Sequence, residues 1–412
     1  MKTTCPLCEC ENIQGIFEAD NAFVSVAELS LKPYLKEHTQ GEKEFRGDMK
    51  IKLFQCRDCG YTFNANFDDE KMSKAYFSGN YITPKAISST ISWMILNLSK
   101  KIKSYAKSEY VFLEIAPGGC DLLFALSKDS HFAYSIDPSF TPEILLKDIA
   151  NITHIRALFS YENVANKLKH KINFIIFRHL IEHLEKPRQF LKDIVNLLEY
   201  EGMIYIEVPN MLEIAENKRF YEIRHEHVGY HQSADLIKAL NELGCELIEL
   251  DYIHEKQWFG LFFKKTKNFK KDENLKPVFF DKSLNKALHS EIHKLDHLLK
   301  NYKNIAIYGA GSHANSLLSY ISLENCKKIS CAIDKDERRQ GTYLLNSDIK
   351  IKAPSAENLK DIDCVLMAIP AYEEVVFQNE IVKFANGGGV LKFDVIRTTK
   401  GINLIEFKNL KD

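Results

Sequence analysis

From Tyr110 onward, short apolar runs alternate with segments of helical apolar spacing, the rhythm of a chain that builds parallel sheets covered by helices. Tyr110-Val111-Phe112-Leu113-Glu114-Ile115 reads as a buried parallel strand. A small-residue turn, Ala116-Pro117-Gly118-Gly119-Cys120-Asp121, follows it, and Leu122-Leu123-Phe124-Ala125-Leu126 opens a helix. A second strand, Phe132-Ala133-Tyr134-Ser135-Ile136, ends on Asp137. Further on, 171–177 predicts a strand that leads into Arg178-His179-Leu180-Ile181-Glu182-His183-Leu184. Pro187 to Leu198 has helical spacing with Gly202 as its stop, and Met203 to Val208 is the next strand, ended by Pro209. Ser233 is placed to cap a helix whose Leu236, Ile237, Leu240 and Leu243 are core-spaced, and Gly244 stops it.

The rhythm breaks at Lys264 to Lys276, which is rich in charge and poor in large apolar residues. Leu284, Leu288, Ile292, Leu295, Leu298 and Leu299 then mark a connecting helix. Ile305-Ala306-Ile307-Tyr308 runs into Gly309-Ala310-Gly311-Ser312-His313-Ala314, a strand–G-x-G-x-x-A–helix opening, and Asp334 ends the following strand. The expected organisation is an α/β protein: a small zinc ribbon followed by two Rossmann-like, doubly wound domains. Boundaries are expected at 1–72 for a zinc-binding domain, 73–265 for the first α/β domain, 266–300 for a linker helix and 301–412 for the second.

The chain has 412 residues, of which 45% are hydrophobic, ample for several cores. Its 55 Lys+Arg nearly balance 56 Asp+Glu, so no nucleic-acid or other polyanion partner is expected. Neither a membrane-spanning apolar run nor a signal-peptide core is present, which predicts a soluble cytoplasmic protein with no membrane partner. In that compartment thiols stay reduced. Paired cysteines therefore point to metal. Cys5-Pro6-Leu7-Cys8 and Cys56-Arg57-Asp58-Cys59 supply four thiolates at knuckle spacing, a closed structural Zn²⁺ site, with Cys10 as a spare or alternative ligand.

Ligands of doubly wound sheets bind beyond the carboxyl ends of the strands. This puts the 116–121 turn, Asp137, Arg178, His179 and Glu207-Val208-Pro209-Asn210 along one edge. His179-x-x-Glu182-His183 also matches the H-x-x-E-H pattern of one class of zinc peptidase. Here it occupies the exit loop of a buried strand rather than an exposed helix face, and it reads as a chance match. The stretch from Phe220 to His231 holds three histidines, two glutamates and two tyrosines in twelve residues, with no amphipathic period to explain them. A His–Glu dyad at a strand-end crevice suits general-base catalysis, since imidazole titrates near the working pH.

Together these motifs resemble the sugar C-methyltransferase family. The resemblance is carried by the cysteine pairs, Phe177-Arg178-His179-Leu180-Ile181-Glu182-His183 with Pro187, Glu207-Val208-Pro209-Asn210, and His225-Glu226-His227-x-x-Tyr230. It implies an N-terminal zinc-binding domain, a class I S-adenosylmethionine (SAM) methyltransferase domain and a C-terminal Rossmann-like domain. The implied reaction is methylation of a carbon beside the keto group of a nucleotide-linked deoxysugar, in surface-glycan or natural-product sugar biosynthesis. His227 is the implied base, with Glu226 beside it and His225 and His179 as further catalytic candidates. Arg224 stands where characterised members carry a catalytic tyrosine.

Glu114, Ala116, Gly118, Asp137, Arg178 and Tyr81, the last in a tyrosine-rich lead-in, are the implied SAM contacts. Asp137 would accept the ribose hydroxyls. Ala116 and Cys120 replace two of the glycines of the family's E-x-G-x-G-x-G turn. Tyr230, Asn210, Gly309, Gly311, Ser312, His313 and Arg339 are the candidates for holding the nucleotide-sugar, as a helix N-terminus suits a diphosphate. Three alternatives stay open on sequence: an O-methyltransferase using the same base, an NAD-dependent oxidoreductase using the 305–334 fingerprint, and a non-catalytic nucleotide-sugar binder. The expected oligomeric state is a monomer or homodimer.

Overall fold

A computed structural model describes residues 2–22, 49–70, 72, 89–106, 109–128, 130, 132–267, 275–345, 347–386 and 391–410. Within them the strands assemble into three sheets. The first is antiparallel, in the order β1 (Ile13–Ala22), β2 (Met49–Cys56), β3 (Thr62–Asn64), β9 (Gly229–Tyr230). Its last strand is borrowed from the histidine-rich stretch, since Tyr230 pairs with Thr62 and Gly229 with Phe63. A strand of two residues carries no periodicity, so the pattern of the sequence gives no sign of it.

The second sheet uses β4 (Val111–Ile115), β5 (Phe132–Ile136), β6 (Ile152–Ile155), β7 (Ile172–Arg178), β8 (Leu198–Pro209), β10 (Cys245–Ile253) and β11 (Trp258–Lys265). Its order is β10-β11-β8-β7-β4-β5-β6. The strands from β8 to β6 run parallel, and β11 lies antiparallel to both β8 and β10. Strand order reverses between β4 and β7, which opens a crevice at their carboxyl ends. Helix α1 (Asp121–Ser127) packs Leu122, Leu123 and Leu126 into the core on one face of this sheet. On the other face α2 (Pro187–Leu197) buries Phe190, Leu191 and Ile194.

Two local expectations change. Gly202 does not end α2; it lies within β8, where the register jumps from Ile172↔Leu198 to Phe174↔Met203. At this bulge Glu201 takes a left-handed φ of 64°, and a Cβ on Gly202 would meet Leu198 Cδ1 at 2.7 Å. Likewise the cap of α4 is not Ser233. With α3 set at Met211–Glu216, α4 (Ser233–Glu242) is capped by Gln232, whose N–H donates to Asp235 Oδ2 at 2.9 Å.

The third sheet follows α5 (Lys282–Leu299) and comprises β12 (Ile305–Tyr308), β13 (Ile329–Ile333), β14 (Ile351–Lys352), β15 (Cys364–Met367), β16 (Asp394–Arg397) and β17 (Asn403–Ile405). They run β14-β13-β12-β15-β16-β17, parallel except for the last pair. Helix α6 (Ser312–Tyr320) starts at the carboxyl end of β12. One core joins the first and third sheets: Ile16, Phe17, Ile51 and Leu53 of the first, Phe220, Tyr221 and Ile223, Leu288 and Leu295 of α5, Leu317 of α6, and Ile305 and Ile307 of the third bury one another. Segment 220–231 is thus held between the ribbon and the last sheet. No helix among the described residues is long and apolar enough to cross a membrane.

Candidate active site

At the end of β4 the chain makes a turn with three left-handed residues: Ala116 (φ 53°), Gly118 (φ 58°) and Cys120 (φ 63°). Ala116 and Cys120 therefore keep the backbone shape that glycine would take freely, each at a cost of roughly 1–2 kcal/mol. Glu114, 4% exposed, points from β4 beneath this turn, and its Oε2 has no hydrogen-bond partner. Burial pushes its pKa up to about 8, with Arg178 opposing and Asp121 adding to the rise. Asp137 follows β5; its Oδ1 accepts the Ser139 N–H at 2.7 Å, which fixes the carboxylate. Tyr81 and the rest of its lead-in lie outside the described residues.

Across the crevice Arg178 and His179 leave β7 beside Glu207 of β8. Arg178 donates to Glu207 Oε1 from Nε (3.0 Å) and Nη2 (2.6 Å), and His179 Nε2 lies 3.1 Å from the same oxygen. Tyr205 donates to Glu207 Oε2 at 2.7 Å. Burial opposes charge on His179, but Glu182 and Glu207 outweigh it and raise its pKa to about 9. At neutral pH His179 is a cation, so it has no lone pair with which to accept a proton. Sequence reasoning missed Tyr205 and Trp258, whose ring meets His179 edge-on at 4.8 Å. The first had a signal, since Tyr205 sits two residues before Glu207 on the same face of one strand.

The histidine-rich stretch resolves into separate roles. His225 stacks on Phe67, its Nδ1 lies 3.4 Å from Asn64 Nδ2, and its Nε2 accepts the Asp68 N–H at 3.1 Å. Its ring is committed to the ribbon. Glu226 and His227 turn the other way and meet Arg224, which ion-pairs Glu226 through Nε at 2.8 Å and donates from Nη2 to His227 Nε2 at 3.1 Å. His227 is 2% exposed. Burial first, then the Arg224 charge, holds its pKa well below the ordinary value, so the ring is neutral. Tyr230 clasps the Arg224 backbone, accepting from its N–H and donating to its carbonyl, both at 3.0 Å.

Arg224 also reaches the last sheet, donating from Nη1 to Ser312 Oγ at the start of α6. His313 Nε2 lies 3.1 Å from Glu222 Oε1, and Glu222 in turn accepts from the buried Arg219 at 2.6 Å. Two other candidates are bound internally. Asn210 caps α3 through the Leu212 N–H and donates to the Lys256 carbonyl, and Arg339 donates to the Ala310 carbonyl at 2.8 Å. Gly309 is required by the protein itself, as a Cβ there would meet Ile369 Cγ2 at 2.3 Å, whereas Gly311 faces open space. Asp334 spends both carboxylate oxygens on backbone donors, Ala310 N and Asp336 N.

At the ribbon, Cys5 Sγ lies 3.7 Å from Cys59 Sγ and Cys8 Sγ 3.5 Å from Cys56 Sγ, and the four sulfurs form one cluster able to hold a metal ion. Cys10 stands apart, its Sγ accepting the Asn12 N–H.

Two family models match the chain. One, described as a methyltransferase domain, matches residues 97–250; the other, described as a C-methyltransferase C-terminal domain, matches residues 265–393. No curated protein matches it. Similar solved structures include magnesium protoporphyrin IX methyltransferase from Synechocystis PCC 6803 with bound SAH, at 12% identity and a TM-score of 0.37, covering 48% of this chain and 100% of that one. Another is N-methyltransferase NodS from Bradyrhizobium japonicum WM9 with S-adenosyl-L-homocysteine, at 14% identity and a TM-score of 0.33, covering 42% and 86%. An O-methyltransferase family protein from Burkholderia thailandensis has 10% identity and a TM-score of 0.36, covering 48% and 60%.

Proposed function

The chain is an S-adenosylmethionine-dependent methyltransferase in which a methyltransferase domain is followed by a C-methyltransferase C-terminal domain, and from that premise we propose that its acceptor is a carbon beside the keto group of a nucleotide-linked sugar. The observation that carries this reading is the position of Arg224, which meets Glu226 and His227 and also donates to Ser312 Oγ, and so links the residues suited to proton transfer with the helix start suited to a diphosphate.

The left-handed turn at 116–120, the fixed Asp137 carboxylate and the unpartnered Glu114 oxygen fit SAM. Asp137 would hold the ribose hydroxyls, and Ala116 and Gly118 would let the backbone approach. When bound, that cofactor supplies an electrophilic methyl group on a sulfonium. The remaining chemistry falls to the chain. His227, neutral and buried, takes the proton from the carbon α to the carbonyl, and the C–H electron pair passes to the carbonyl oxygen as an enolate. Arg224 cannot act as an acid at neutral pH, but its guanidinium can stabilise the enolate oxygen. In doing so it leaves His227 Nε2, which frees the lone pair and raises the basicity of the ring. Glu226 keeps Arg224 within reach of both tasks. An O-methyltransferase would use the same base on a hydroxyl; the C-methyltransferase match of residues 265–393 favours carbon. Zn²⁺ bound by Cys5, Cys8, Cys56 and Cys59 would serve structure alone.

His227→Ala tests the assignment. Turnover of a keto-sugar nucleotide should fall about 10²–10⁴-fold, with SAM affinity by calorimetric titration nearly unchanged. Full turnover in this variant would remove His227 from the chemistry.

A further inference from the structure

Among the described residues, two groups of side chains gather enough ligand-type atoms to hold a metal ion: the four cysteines, and Glu182 with His183 and His227. The donor atoms of the second group all lie within 4.8 Å of one another. Local structure brings them together. Ile181–His183 is a single tight turn at the exit of β7, which sets Glu182 and His183 side by side. His227 arrives from the turn closed by its own N–H on the Arg224 carbonyl. Its ring meets that of His183 edge-on, with centroids 4.9 Å apart.

Glu182 and His227 are each 2% exposed, and each carries a buried polar atom with no hydrogen-bond partner, Glu182 Oε2 and His227 Nδ1. A buried polar atom without a partner is costly, and two in one cluster mark a place for a shared occupant. The surroundings are those of metal ligands. His183 Nδ1 lies 3.0 Å from the Glu226 carbonyl and so donates to it, which leaves the lone pair on Nε2. The other oxygen of Glu182, Oε1, is 3.7 Å from His179 Nδ1. Two imidazoles and one carboxylate are a donor set that zinc takes when its fourth position stays open.

We propose that Glu182, His183 and His227 form a site for one divalent transition-metal ion of the zinc class, separate from the cysteine cluster. The H-x-x-E-H pattern then contributes its glutamate and second histidine, while His179 is held on Glu207 and is not a ligand. A neutral imidazole has one lone pair. An ion on Nδ1 moves the ring proton to Nε2, where it faces the Arg224 donor, and Arg224 must leave the ring. A metal-bound His227 has no electron pair for a substrate proton. This consequence alone rests on the base assignment above: occupancy of the site and proton abstraction exclude each other.

The test is a cobalt(II) titration of the full chain whose cysteine cluster is already filled with zinc. One additional equivalent should bind, without the intense charge-transfer absorption of a cobalt–thiolate bond. Glu182→Gln and His183→Ala should each weaken it by more than the roughly 10–100-fold that loss of an outer-shell partner costs. Retained zinc at the cysteines and an unchanged cooperative melt keep a folding failure apart from loss of a ligand. Arg224→Gln, which removes a competing cation, should tighten the site. No additional equivalent, or one indifferent to both ligand substitutions, overturns the proposal. The metal count needs no methyl acceptor, so it can fail while methyl transfer stands, and methyl transfer can fail while the count stands.

Discussion

Glu114 shows how one side chain can make stability depend on pH. Its pKa in the folded chain is about 8 against an ordinary 4.5, so between these values the folded state binds more protons than the unfolded state. Stability must then fall as pH rises through that window, and below 4.5 the effect vanishes. Glu114→Gln removes this proton uptake. The variant should gain on the parent chain by on the order of 3 kcal/mol near neutral pH, relative to their difference at pH 4. Denaturant unfolding of both proteins across that range checks it, and a gap that does not widen with pH would contradict the buried, proton-bound carboxyl. The strand end and the acid were readable in the sequence because a short unbroken apolar run is interrupted by Glu114 and followed by a small-residue turn. The left-handed turn was not readable at Ala116 or Cys120, since only glycine advertises a positive φ.

Among elements, the segment from Phe220 to His231 was legible as chemistry but not as structure. Its density of histidine and glutamate stands out locally. Which side chain faces which partner depends on Asn64, Phe67 and Ser312, far away in the chain. Two histidines flanking Glu226 divide the work: His225 is anchored to the ribbon, and His227 faces Arg224. His225→Ala should therefore cost about 1–3 kcal/mol of stability, from the stranded Asp68 N–H and lost stacking, while the variant that remains folded still turns over. A melting curve read beside the rate separates the two, and a loss of rate as deep as that of His227→Ala would put His225 in the chemistry. The ribbon itself should hold one zinc per chain as purified, and Cys56→Ser should lose it. Elemental analysis decides this. Gly202 shows a different limit: as a breaker it signals an end, but the end of a helix and a bulge within a strand share that signal.

At the scale of the whole molecule, two nucleotide-type fingerprints compete for one cofactor, and the carboxylates at their strand ends differ. Asp137 has one oxygen fixed by Ser139, while Asp334 has both oxygens taken by its own backbone. Asp137→Ala should lose roughly 2–4 kcal/mol of SAM binding, whereas Asp334→Ala should leave SAM binding alone and loosen the last sheet. Calorimetric titration of both variants is the check; the reverse result would move the cofactor to the last domain. The alternation of strands and helices made both α/β units legible, but the contacts that join them lie in residues without periodicity. One of those joints bears on engineering. Because Gly229 and Tyr230 complete the antiparallel sheet against Thr62 and Phe63, the ribbon and the histidine-rich segment are not interchangeable parts. A chimera that imports a foreign ribbon without its matching 225–232 segment would join two edges of unmatched register, so any swap meant to alter acceptor choice has to carry both pieces as one cassette.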